Sequence, residues 1–107
     1  MNKQFIARQG DVLVIRVDSI PKNAKPVARE NGRIILAHGE VTGHAHAILE
    51  PRASLVQDDS GVTYLEIASA MAALQHEEHS AIDLPKGFYR VIRQREYSPI
   101  AIRNVQD

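Results

Sequence analysis

The sequence predicts an all-β fold, a compact single-domain β-barrel or β-sandwich. Three observations carry that expectation. About seven or eight apolar runs of strand length alternate with period two. Turn-forming clusters separate them at intervals of about 8–12 residues, the spacing of small sandwiches and barrels. The chain has 107 residues, room for one core, so residues 1–107 are read as a single β domain.

Taken in order, residues 1–9 read as a short polar lead-in. Gly10-Asp11 punctuates the chain before Val12-Leu13-Val14-Ile15-Arg16-Val17, a β-branched strand apolar on most of both faces. Asp18 to Pro26 carries two prolines and is a loop. Val27–Glu30 is a weak strand, Asn31-Gly32 a hairpin turn, and Arg33–Ala37 its return strand. Gly39 and Gly43 flank a tight turn ahead of a strand starting at His44, which Pro51 ends. Gln57–Gly61 is a second turn, followed by the strand Val62–Ile67. Ala68–Gln75 is alanine-rich and helical by propensity. With strands on both sides and no N-cap box, it is read as a strand. Leu84–Gly87 is a Pro-Gly turn, Phe88–Tyr97 the last long strand, and Ile100–Val105 a short tail.

Composition narrows the chemistry. Lysine plus arginine equals aspartate plus glutamate at 13 each, so there is no basic field for nucleic acid and no acidic tail. There is no cysteine, which removes disulfides, thiolate metal sites and cysteine nucleophiles together. A secreted chain this small is often disulfide-stapled, so a cytoplasmic location is expected. No apolar run has the length of a membrane span, and no signal-peptide core follows Met1.

The histidines are the strongest functional signal. Three of the five fall in His38–Glu50, at His38, His44 and His46, and the other two in His76-Glu77-Glu78-His79. On an extended chain His44 and His46 point to the same side, so both imidazoles can reach one ion. Either His76 or His79 supplies the third ligand. Three neutral imidazoles with an open position suit a divalent transition metal: zinc, iron, nickel or manganese. Metal candidates are therefore His44, His46, His76 and His79. Glu50 and Glu78 are the candidate proton carriers, able also to ligate or orient an imidazole. His38 and Glu40 read as exposed turn residues. The HEEH spacing differs from the i, i+4 spacing of the metalloprotease HExxH helix. Arg93 and Arg95, on the cationic strand with Arg90, are candidates to hold an anionic substrate group.

Four stretches carry a resemblance: Arg8-Gln9-Gly10-Asp11-Val12-Leu13, His38–His46 (HGEVTGHAH), His76–His79 (HEEH) and Tyr89–Tyr97, which contains RQREY. On these the chain resembles a small bacterial and phage family of unassigned function, so the resemblance supplies no reaction. It is similar, more loosely, to cupins, whose metal is held by an HxH pair, a glutamate a few residues on and a later histidine. That resemblance implies His44, His46, Glu50 and His79 as ligands. The Pro-x-Gly of cupins precedes the later histidine, whereas Pro85-Lys86-Gly87 follows His79.

The expectation is a metal-binding β protein and, if it is catalytic, a metal-dependent enzyme on a small or anionic substrate. Two rivals stand beside it: a module for a protein partner with a structural histidine cluster, and a nucleic-acid binder using the Arg90–Arg103 face. Edge strands in so small a domain offer a route to a homodimer.

Overall fold

The computed structural model describes residues 5–39 and 43–94. Eight strands form one antiparallel sheet: β1 (Ile6–Gln9), β2 (Val12–Val17), β3 (Lys25–Pro26), β4 (Ile34–His38), β5 (Ala45–Ile48), β6 (Ala53–Gln57), β7 (Thr63–His76) and β8 (His79–Arg93). The order is β1-β2-β8-β7-β5-β4, with β6 on β7 and β3 on β6. There is no α-helix among the described residues, and none there long and apolar enough to cross a membrane. The sheet is strongly curled into a half-barrel.

The curl originates in β7 and β8, strands of 14 and 15 residues, far above the usual five or so. Along one edge β7 pairs with β8 throughout. Along the other it pairs first with β6, from Thr63 to Ile67, and then with β5, at Leu74 and Gln75. The change of partner falls at a bulge between Ile67 and Met71. There the Ala68 amide donates to the Arg52 carbonyl at 3.0 Å, and the buried Ser69 hydroxyl donates to the Met71 carbonyl at 3.0 Å. Extra residues on one strand bend it and add twist.

Alternation packs the concave side. Val12 and Val14 of β2, Leu65, Ile67 and Leu74 of β7, Leu84 and Tyr89 of β8, Ile34 of β4 and Ile48 of β5 are all fully or almost fully buried. Such side chains each contribute about 1.5–3 kcal/mol by leaving water. The alanine-rich segment is strand, as its neighbours predicted: burial, at Ala72 and Leu74, overrides helix propensity.

Other expectations need correction. The lead-in contains β1, an edge strand whose Ile6 is exposed; pairing with β2 holds it, so no apolar face announces it. Val27–Glu30 forms no strand. Only Glu30 bridges to Arg33, across a turn with Asn31 at φ 54° and Gly32 at φ 81°, the two positive angles of a type I′ turn. Pro85-Lys86-Gly87 is no turn: β8 runs straight through it, Pro85 opposite Met71 and Gly87 opposite Ile67. Proline is tolerated because the ladder is already broken at the bulge. The tail 100–105 and the end of the last expected strand lie outside the described residues.

Gly87 is fixed by its neighbour. The Arg16 guanidinium lies over the Tyr89 ring, 5.5 Å from its centroid, and a Cβ on Gly87 would meet Arg16 Nε at 2.5 Å. Gly87 also has φ +151°. Gly87→Ala is expected to cost about 1–3 kcal/mol, chiefly from backbone strain, because the Arg16 guanidinium ends a flexible side chain that can swing aside. Gly61→Ala, at φ +93° with open space around it, should cost about 1 kcal/mol from strain alone. Urea unfolding of the two variants checks this; a Gly87→Ala protein as stable as the parent would contradict it.

Candidate metal centre at the seam of the half-barrel

Curling brings the β1–β2 turn against the β7–β8 turn, and the histidines meet there. The residue opposite His46 across β5 and β7 is His76, one step beyond the Ala47–Gln75 pair. His76 in turn pairs with His79 across the two-residue turn Glu77-Glu78. Three strands thus set three imidazoles side by side. Ring centroids are 4.3 Å apart for His46–His76, 4.6 Å for His76–His79 and 5.9 Å for His46–His79. His44 joins them 5.8 Å from His76.

His46 is the most constrained of the four. It is 3% exposed, and its Nδ1 lies 2.9 Å from Gln9 Oε1. The Gln9 amide is oriented unambiguously, because its Nε2 lies 2.9 Å from both the Leu74 and the Ser80 carbonyls. Carbonyls only accept, so Nε2 must be the donor and Oε1 must face the ring. His46 Nδ1 therefore carries a proton and donates it, leaving a lone pair on Nε2. Burial first, then the charge of His76, lowers the His46 pKa to about 4, against a smaller opposing effect of Asp11. At neutral pH His46 is a neutral base with its Nε2 lone pair free.

That Nε2 lies 3.7 Å from Asp11 Oδ1. The other Asp11 oxygen, Oδ2, is 3.4 Å from Arg93 Nε, and Arg93 Nη2 donates to the His38 carbonyl at 3.1 Å. Gly10 makes room for the rings: a Cβ there would sit 2.9 Å from His79 Nε2 and 3.2 Å from His46 Cε1. Gln9 and Arg93 also tie the open side of the sheet, Gln9 from β1 to β7 and β8, Arg93 from β8 to β4.

The remaining candidates divide. His44 Nδ1 is buried and makes no hydrogen bond; Glu78 Oε2 is 3.4 Å away without hydrogen-bonding geometry. The Glu78 amide donates to His76 Nδ1 at 3.0 Å, so neutral His76 carries its proton on Nε2. Glu77 Oε1 accepts from the Ala45 amide at 2.9 Å, and that bond holds its carboxyl below the usual range. Glu50 stands beyond the far end of β5, its Oε2 accepting from the Arg52 amide at 2.9 Å; the structure does not bring it to the histidines. His38 pairs with Glu30 at 3.2 Å on the exposed side. Arg93 reaches the cluster but is engaged with Asp11. Glu40 and Arg95 lie outside the described residues. As the side chains stand, no group of three or more ligand-type residues is arranged to hold an ion among the described residues.

Sequence reasoning missed Gln9 and Asp11. Their signal was the Gln9-Gly10-Asp11 segment ahead of the first expected strand, read as punctuation.

The family profile of a domain of unknown function (DUF8820) matches residues 8–94. The chain belongs to this family. Every residue of the cluster, from Gln9 to Arg93, falls inside the matched span of the DUF8820 domain. No curated protein and no solved structure matches the chain.

Proposed function

We propose that this DUF8820 domain binds one divalent transition metal, zinc, iron, nickel or manganese, at the seam. His46 Nε2, His79 Nε2 and the Asp11 carboxylate are its ligands, with His44 and His76 at the rim. The observation that carries the reading is the oriented His46. A metal-binding imidazole usually donates its other N–H to a fixed acceptor, which sets the tautomer, and Gln9 fills that role for His46. The 3.7 Å between His46 Nε2 and Asp11 Oδ1 is long for a hydrogen bond. It is close to the roughly 3.4 Å expected between two ligands of one tetrahedral zinc. Rotation of the exposed His79 ring about its two side-chain torsions completes the set.

The pattern keeps one histidine of the HxH pair, His46, and the later histidine of the cupin resemblance, but puts Asp11 in place of Glu50. Two imidazoles and a carboxylate leave open positions for water or a small anion. Glu78, beside His44, is then the group placed to move protons.

Metal content by plasma mass spectrometry, on protein purified without a histidine tag, tests this reading. Near-stoichiometric metal, lost in His46→Ala and in His79→Ala, is expected. No metal as purified, and no uptake of added zinc, nickel, manganese or iron, would end it.

A further inference from the structure

A second site lies on the opposite face of the same strands. Ala47 of β5 is flanked by Ile35 on β4 and Gln75 on β7. One step on, Ala45 stands opposite Glu77, and at the other end Leu49 stands beside Arg33. Small residues along the central strand and longer ones on its neighbours leave a trough. Its volume is about 220 Å³, and Arg33, Ala45, Ala47, Leu49, Gln75, His76 and Glu77 line it. That volume is below the range of about 300–1,000 Å³ for drug-sized ligands, so the occupant is small.

The trough is polar at its ends and apolar between. Arg33 is half-buried, and among the described residues its guanidinium has no carboxylate partner. The exposed Glu77 carboxylate, with Oε1 held by the Ala45 amide, is the acidic group at the other end. Leu49, 56% exposed, adds apolar surface beside Arg33. From Ala45 to Leu49 is about 13 Å along a strand, and both charged side chains are long enough to lean inwards. A complementary molecule carries a carboxylate for Arg33 and an ammonium for Glu77, joined by a short aliphatic chain.

We propose that this trough binds a short bipolar aliphatic molecule, an ω-amino carboxylate, between Arg33 and Glu77. The trough faces away from His46 and Ile48, so this inference stands without the metal reading, and His76 alone borders both sites.

The test uses 6-aminohexanoate titrated into the full chain in the presence of a chelator, read by amide ¹H–¹⁵N spectra. Saturable shifts at Ala45, Ala47, Leu49 and Glu77 are expected. Arg33→Gln and Glu77→Gln should each weaken binding about tenfold, as should replacing the probe by hexanoate or hexylamine. Ala47→Leu, which fills the trough, should abolish the shifts. No saturable shift up to about 20 mM, a range that reports Kd values in the millimolar class, would overturn the proposal. So would hexanoate binding as tightly as 6-aminohexanoate, or binding indifferent to Arg33→Gln.

Discussion

Gln9→Leu is expected to destabilise the protein by about 3–5 kcal/mol and to weaken metal binding about 10–100-fold. The Gln9 side chain is 2% exposed in its surroundings, and its amide serves three groups at once: the Leu74 carbonyl, the Ser80 carbonyl and His46 Nδ1. Leucine is similar in size but leaves all three without a partner in the interior. Each stranded group costs about 1–3 kcal/mol, and the seam between the β1–β2 and β7–β8 turns loses its tie. The metal effect follows separately. Without the Gln9 acceptor the His46 proton is no longer held at Nδ1, so Nε2 is not reserved as a lone pair. Gln9→Glu keeps an acceptor for His46 but sets a carboxylate oxygen against the Leu74 and Ser80 carbonyls, so it should lose stability as well while retaining more of the metal binding than Gln9→Leu. Denaturant titration and zinc titration of both variants check the two effects, and a Gln9→Leu protein as stable as the parent would contradict the seam.

The second large effect is a loss of stability in mild acid. His46 has its pKa lowered from 6.5 to about 4 in the folded chain, chiefly by burial. Unfolded chains therefore bind a proton at this histidine between those values while folded ones do not. Stability contributed by keeping His46 neutral is whole above about pH 6.5 and declines as pH falls towards 4. A difference of this size corresponds to about 3 kcal/mol across the window, for a group this deeply buried. Facing His46 are His76, His79, Asp11 and Arg93, the last three through side chains at the rim. His46→Gln, with chelator present in both samples, removes the titrating group and should flatten the curve by that amount. Equal acid losses in parent and variant would place the titration elsewhere. Added zinc should carry the parent's decline to lower pH, because only neutral imidazole ligates.

How much of this was legible in the sequence depends on sequence distance. The alternation of His44 and His46 and the Asn31-Gly32 hairpin are local. Spacing and turn chemistry specify them. The seam is not local. Gln9 meets Leu74 across 65 residues and Ser80 across 71, and only the curl of two very long strands brings them together. No periodicity in residues 6–11 reports that, so a turn that completes the site read as punctuation. Pro85-Lys86-Gly87 misled for a related reason. Proline and glycine usually mark turns, but here the Met71 bulge had already opened the ladder, and Arg16 occupies the space that a Gly87 side chain would need. Glu50 stands apart from the histidines because strand direction carries it past the end of β5, whereas Asp11 arrives from another hairpin.

The central claim is that His46 is held neutral, with its proton on Nδ1 and its Nε2 lone pair directed into the cluster for a metal. Long-range ¹H–¹⁵N spectra of the histidine side chains at pH 7, before and after adding zinc, test it most directly. The account predicts that His46 starts as the Nδ1–H tautomer, and that its Nε2 and that of His79 shift together at one equivalent of zinc. A proton on His46 Nε2, or ring nitrogens that ignore zinc, would contradict it.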